Sequence, residues 1–356
     1  MVNAFDNELK RIAAAVRVLI FDRKLQPQFL PAELQQAVMA YPGAGGKAMR
    51  PALLTWAYRA LGGELEDVAL RAGTAVELYH TYTLIHDDVI DRDPLRRGQP
   101  SVHMLMSGEG WKKFGLTSEA GHYGLSMAIL AGDAMHSWSI SLLTSLGAMG
   151  ADYATVNALI SKLEGDTGPA IVEGEVRDIQ LPYTQVANVT DEEVLTVMRT
   201  KTAALFAYCA WAGGMLARNT CDNHVQNITD YAAEAGIAFQ LQDDVLGIVG
   251  DEKTLGKPIG SDLREGKRTL IITKAWSRAD ENERTIISTA LGNPRANSEQ
   301  IESAIEVLVS TGAVDEVRDM AQNYLQSAIL HLNKIPANPW REMMNELAER
   351  MIARKK

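Results

Sequence analysis

Only two cysteines, Cys209 and Cys221, occur in 356 residues. A disulfide framework is therefore excluded, and a reducing, cytoplasmic setting suits the chain best. Positive charge is in deficit: 35 Lys and Arg against 45 Asp and Glu leave a formal charge of −10. That argues against a nucleic-acid binder, which needs a basic surface. Long apolar runs are missing as well. The longest, Ala203 to Ala217, falls short of the roughly 20 residues that a bilayer span needs, so the chain reads as not transmembrane. The opening stretch, MVNAFDNELKRIAAAVRVLIFDR, mixes charges among its apolar positions and reads as an amphipathic helix, not a signal peptide. Convincing alternating strands with hairpin turns are absent, as are linkers rich in Pro or Ser and internal repeats.

What is there is helix. Ala, Leu, Glu, Met and Gln are abundant, and apolar residues recur at three- and four-residue steps. The clearest stretches are Ala52–Leu61, Arg71–Ile90, Ser126–Leu146, Val194–Leu216, Ile228–Val249, Thr269–Trp276, Gln300–Leu308 and Val314–Leu332. Breaks are expected at Arg92–Ser101, Ser107–Gly124, Leu181–Asp191, Gly250–Gly266, Gly292–Ser298 and Lys334–Pro339. Length alone allows two domains. The unbroken pattern predicts one all-α domain over 1–356, with central helices apolar nearly all round and wrapped by others.

Two acidic clusters interrupt this pattern. In Leu84-Ile85-His86-Asp87-Asp88-Val89-Ile90-Asp91-Arg92-Asp93, Asp87 and Asp91 are four apart and share a helix face, with Asp88 beside them. Pro94 soon ends the helix, so the carboxylates crowd a C-terminus where the helix dipole already disfavours them. One such cluster can be a solvated acidic face. The alternative is a divalent cation, and oxygen-only ligands suit Mg²⁺. In Phe239-Gln240-Leu241-Gln242-Asp243-Asp244-Val245-Leu246-Gly247 a second pair lies late in another apolar helix. Facing one another, the two pairs would hold several metals above an apolar cavity.

Basic residues surround these clusters in the sequence: Lys47 and Arg50 before a helix, Arg96 and Arg97 after the first cluster, Lys257 and Lys267 after the second. Lys201 sits inside an apolar helix, an awkward place for a charge without a partner. Carboxylates plus many Arg and Lys describe a polyphosphate site. A nucleotide P-loop is excluded, because GxxxxGK[ST] is absent and no strand launches it.

At this point the chain resembles the trans-isoprenyl diphosphate synthases, the polyprenyl synthetase family. The segments that carry the resemblance run in order from Gly45 to Thr269: GKAMRP, LYHTYTLIHDDVIDRD, LRRGQPSVH, ILAGDA, GEVRDI, KTAALF, FQLQDDVLGIVGD and LGKPIGSDLREGKRT. The resemblance implies an all-α bundle around a deep central apolar cavity, in a homodimer. It implies Mg²⁺, three per active site, held by Asp87 and Asp91 with Asp88 in support, and by Asp243 with Asp244. Arg96, Lys201 and Lys257 would grip an allylic diphosphate, with Thr202, Gln240 and Lys267 adjacent. Lys47, Arg50, His80 and Arg97 would hold isopentenyl diphosphate, and the C-terminal Arg354-Lys355-Lys356 resembles a tail that closes over that site. The implied chemistry is ionisation of the allylic diphosphate, attack by the double bond of isopentenyl diphosphate, and proton loss to the released diphosphate.

The sequence departs from the family pattern in two places. The second acidic motif ends in Gly247 where a third carboxylate would stand, and Glu175 occupies a common Gln position three before Asp178. A terpene cyclase would share the fold but needs no Lys47/Arg50/His80/Arg97 cluster. A non-catalytic partner subunit would be expected to lack an acidic motif. For product length, the resemblance points to Tyr82 and Thr83, five and four residues before Asp87, and to geranylgeranyl over farnesyl diphosphate. On an ideal helix, however, Tyr82 points about 140° from Asp87 and Thr83 about 40°. Tyr79 or a residue of another helix is therefore also a candidate for the cavity floor.

Overall fold

The structure, a computed structural model, describes residues 4–250 and 259–353. Among them the chain is helical apart from a two-strand hairpin of Leu95–Arg96 (β1) and Gln99–Pro100 (β2). The described chain divides into two units. The first comprises residues up to Ser161 together with Trp211–Cys221; the second comprises Lys162–Ala210 and the described residues from Asp222 onward.

In the first unit, α1 (Ala4–Phe21), α2 (Ala32–Ala44) and α3 (Met49–Ala60) lead to α4 (Glu66–Ile90), the helix that carries the first acidic motif. Beyond the hairpin come α5 (Val102–Phe114), α6 (Ala120–Thr144) and α7 (Tyr153–Lys162), the last residue of which passes to the second unit. The core of this unit is large side chains with no solvent contact, among them Ile12, Leu54, Trp56, Leu78, Ile85, Met106 and Trp138. Ser139 Oγ donates to the Ala75 carbonyl at 2.7 Å and fastens α6 to α4. The expected break over Ser107–Gly124 is wrong in extent: α5 continues to Phe114 and α6 starts at Ala120. The glycines that suggested a break allow close approach instead. A Cβ on Gly124 would stand 2.9 Å from the Ser107 amide nitrogen.

In the second unit, α8 (Gly168–Gln180) and α9 (Asp191–Val197) are followed by a π-helical turn, Met198–Ala203, and by α10 (Ala204–Arg218), whose residues from Trp211 on belong to the first unit. Thr190 starts α9 with a capping box, its hydroxyl accepting from the Glu193 amide at 3.2 Å. The long α11 (Asn223–Val249) begins at the Asp222 cap and carries the second acidic motif. After it come α12 (Ser261–Glu265), α13 (Leu270–Arg278), α14 (Glu281–Ala290), α15 (Ser298–Ser310), α16 (Ala313–Leu332) and α17 (Pro339–Ile352). Leu241, Val245, Leu270, Ile271, Ile287 and Val317 are among the residues that close this unit's core.

Candidate active site

The last turns of α4 gather the first acidic motif. Asp87 is half-buried, Asp91 is exposed at the helix cap, and Asp88 is fully enclosed. The positive compensation that this crowding demands comes from Arg96. Its Nη2 lies 3.2 Å from Asp87 and 3.7 Å from Asp93, and it also donates to Asp88 Oδ1. Asp88 Oδ2 accepts from the Tyr41 hydroxyl. Both Asp88 oxygens thus face protein donors, which fits a supporting role beside Asp87 and Asp91.

The hairpin splits two consecutive arginines. Leu95 pairs with Pro100 and Arg96 with Gln99, so Arg97 and Gly98 form the turn, at φ 54° and 74°. Positive φ at both central residues is the type I′ geometry that matches strand twist. Arg97 donates to the Gly45 carbonyl. A Cβ on Gly46 would meet the Arg97 guanidinium at 3.1 Å and Glu77 Oε1 at 3.2 Å, so a side chain there would press on the charges that converge beside it. Arg50 also bears on Glu77, whose carboxyl is pushed up by burial against the pull of Arg50 and Arg97. Burial, with the fields of Arg50, Arg97 and Arg96, holds His80 well below its usual range, so it is a neutral imidazole. Lys47 is exposed in the same loop. A cavity of about 230 Å³ opens beside these groups, lined in part by Arg17, Tyr41, Gly46, Glu77, Arg96 and Arg97.

In the second unit, Lys201 lies on the π-turn with its Nζ 2.7 Å from Asp178 and 2.8 Å from Glu175, both on α8. This pair of carboxylates answers the question that a lysine in an apolar helix raises. Thr202 Oγ1 donates to Gln240 Oε1 at 3.1 Å, and Gln240 Nε2 donates to Asp244 Oδ1 at 3.1 Å. Asp243 is half-buried and Asp244 buried. Lys267 sits 3.3 Å from Glu265 and 3.8 Å from Asp262. Sequence reasoning gave Asp262 no role, although it lies in a segment that carries the resemblance. A Cβ on Gly247 would stand 3.0 Å from its Oδ2, so the glycine that replaces a third carboxylate makes room for Asp262 instead. Lys257 and Arg354-Lys355-Lys356 lie outside the described residues.

Among the described residues, no three or more His, Cys, Asp or Glu groups converge as a ready-made metal cage. Mg²⁺ uses one or two carboxylates and completes its shell with water and substrate phosphate oxygens. Burial, then Asp262, then Asp243 push Asp244 from 3.8 up to about 8, against Gln240 and Lys267. A divalent cation would relieve that repulsion. The sign of the linkage follows. The folded carboxyl keeps its proton to about 8 whereas the unfolded one ionises near 3.8, so metal-free stability should fall as pH rises across that window. Mg²⁺ should displace the proton. Calorimetric titration with Mg²⁺ at pH 7, with substrate analogue present, should give heats that depend on the buffer's ionisation enthalpy. Buffer-independent heats would contradict the assignment.

Tyr82 is half-buried among rings, its centroid 4.8 Å from Tyr79, 5.0 Å from His136 and 5.7 Å from His86. Thr83 turns its hydroxyl back onto the His80 carbonyl at 2.8 Å. His86 faces α6, 3.1 Å from the Ile129 carbonyl, in a notch that any Cβ at Gly132 would fill. His103 lies in the first turn of α5 and not in a loop, with Nδ1 3.2 Å from Oγ of Ser101 at the helix cap. Cys209 is buried and Cys221 exposed, both as free thiols.

The polyprenyl synthetase family model matches residues 31–308. The chain belongs to the polyprenyl synthetase family. It is a prenyl diphosphate synthase, an enzyme of the trans-prenyltransferase type. It is 36% identical over 323 residues to a geranylgeranyl diphosphate synthase of Saccharolobus solfataricus, covering 90% of this chain and 87% of that protein. A geranylgeranyl diphosphate synthase of Sulfolobus acidocaldarius is 36% identical over 292 residues, 82% and 81% of the two chains. A geranylgeranyl pyrophosphate synthase from Corynebacterium glutamicum, solved with isoprenyl diphosphate and magnesium, superposes with a TM-score of 0.87 at 27% identity, over 99% of this chain and all of the other. Polyprenyl synthetases bind Mg²⁺ with diphosphate substrates. No helix among the described residues of this synthase is long and apolar enough to cross a membrane.

Proposed function

We propose that this prenyltransferase condenses isopentenyl diphosphate with dimethylallyl, geranyl or farnesyl diphosphate and releases geranylgeranyl diphosphate. The observation that carries the reading is the division of Arg96 and Arg97. One guanidinium serves the acidic motif, and the other serves the Gly45–Arg50 segment that a cyclase would not need. The further readings are that 1–356 works as one polyprenyl synthetase domain, in a cytoplasmic homodimer. A family match that spans residues of both units supports the first of these.

Three Mg²⁺, when bound, supply the charge that stabilises the departing diphosphate. Asp87, Asp91 and Asp243 would hold them, with Asp88 and Asp244 in support. Arg96, Lys201 and Lys257 hold the allylic diphosphate, with Thr202, Gln240 and Lys267 beside them. Lys201 would exchange its carboxylate partners in part for phosphate oxygens. Lys47, Arg50 and Arg97 hold the isopentenyl diphosphate, and neutral His80 donates a hydrogen bond without adding charge. Orientation of the two substrates then places the double bond against the allylic carbon. The released diphosphate is the base.

Product length rests on Tyr82. The ring cluster of Tyr79, Tyr82 and His136 replaces a single stopper with a wall, and relatives named for the twenty-carbon product support the assignment. The test is incubation of purified protein with Mg²⁺, isopentenyl diphosphate and each primer, with the products dephosphorylated and separated by chromatography. A twenty-carbon alcohol is expected; a fifteen-carbon one would assign farnesyl diphosphate instead. Tyr82→Ala should lengthen the product by one or more five-carbon units. An unchanged chromatogram would remove Tyr82 from the floor.

A further inference from the structure

We propose that Tyr41 is a positioning residue that sets the Arg96 guanidinium, through Asp88 and by its own contact with the Arg96 side chain. The inference rests on the prenyltransferase reading above. Tyr41 lies in the last turn of α2, four residues before Gly45, and is buried. Its hydroxyl donates to Asp88 Oδ2 and accepts from the Val102 amide at 3.3 Å. The other Asp88 oxygen accepts from Arg96. One residue therefore joins the end of α2, just before the Gly45–Arg50 segment, to the acidic end of α4 and to the first turn of α5 beyond the hairpin.

The arrangement matters because Arg96 has a choice of carboxylates. Besides Asp88, its Nη2 lies 3.2 Å from Asp87 and 3.7 Å from Asp93. Asp87 has to stay available to metal, so a guanidinium that slides toward it both blocks that carboxylate and leaves the allylic diphosphate unheld. The enclosed Asp88 is the anchor that prevents this, and a buried carboxylate holds its place only while its donors remain. Tyr41 is the donor to the other carboxylate oxygen, and its hydroxyl also meets the Arg96 side chain directly. Without the hydroxyl, Asp88 Oδ2 and the Val102 amide each lose a partner, and Asp88 is free to rotate.

The test is steady-state kinetics of Tyr41→Phe, Arg96→Ala and the double variant in the full chain, with melting temperature measured on each. Tyr41→Phe keeps the ring and its packing. It should raise both the KM for the allylic diphosphate and the Mg²⁺ concentration for half-maximal rate by about tenfold, the effect of loosening one charge-assisted hydrogen bond. The KM for isopentenyl diphosphate should stay within about threefold. In the Arg96→Ala background, Tyr41→Phe should add nothing to the allylic KM, because the group it positions is gone. If the two effects multiply, or if Tyr41→Phe lowers only the melting temperature, the inference is overturned. Should Tyr41→Phe not fold, Asp88→Asn is taken through the same cycle with Arg96→Ala, and independent effects there overturn it equally. A wild-type protein that elongates no primer defeats the reading beneath; an active wild type with independent variants defeats only the role of Tyr41.

Discussion

Asp87→Ala and Asp243→Ala are each expected to lower kcat by about a thousandfold or more, with melting temperatures in metal-free buffer unchanged or raised. The size follows from the step involved: breaking a carbon–oxygen bond to leave an allylic cation depends on charge neutralisation at the leaving diphosphate, for which preorganised groups supply several kcal/mol. The sign of the stability change follows from crowding. Asp87 ends a helix whose dipole opposes it, and Asp243 adds to the repulsion that pushes Asp244 to about 8. Asp243 thus carries a stability cost without metal that function explains, whereas the Arg96 ion pair at 3.2 Å offsets the cost at Asp87. Chelation of the wild type should abolish turnover and Mg²⁺ restore it. A variant at either position within tenfold of wild type would remove that aspartate from the metal assignment.

Gly174→Ala should cost about 3 kcal/mol or more, a drop of roughly 4 °C in melting temperature, and should raise the allylic KM alongside. A Cβ at 174 would stand 2.5 Å from the Lys201 amide nitrogen, 2.9 Å from its Cα and 2.6 Å from Thr200 Oγ1. Two of those atoms are backbone and cannot swing aside. α8 would have to move off the π-turn, and the ion pairs that Lys201 makes with Glu175 and Asp178 would lengthen together. Gly165→Ala, with nothing within 4 Å of the added carbon, is the control and should fall within about 0.5 kcal/mol of wild type. Equal melting temperatures for the two variants would show that α8 and the turn pack more loosely than described.

The long helices were legible because their signal is local. α4 and α11 carry apolar residues at helical spacing, and Asp87 with Asp91 falls on one face by arithmetic alone. The glycine-rich loop and the double arginine were legible as charge in a breaker context. What escaped is whatever packing decides. The partners of Lys201 sit 23 and 26 residues earlier, and they meet it only because Gly174 lets two backbones touch. The π-turn under Lys201 has no sequence period of its own; such turns recur at functional sites because local distortion there serves a purpose. Two-residue strands cannot alternate, so the hairpin left no trace except Arg-Gly at its tip. Asp262 falls in the expected break Gly250–Gly266 and Tyr41 in none of the expected helices, and neither spacing nor charge shows which partners each will meet.

The hairpin makes the synthase sensitive to loop length in a way that differs from its sensitivity to composition. Arg96 and Arg97 are neighbours in the chain, yet one reaches α4 and the other reaches Gly45, because consecutive positions of a strand and its turn project differently. Exchange of side chains at Leu95 or Gln99, both largely solvent-facing, leaves that partition intact. Insertion or deletion of a single residue between Arg92 and Arg96 does not: it hands each guanidinium its neighbour's address. Libraries that vary this loop in length will therefore return enzymes confused between their two substrates, whereas libraries that vary it only in letters will return enzymes of graded strength.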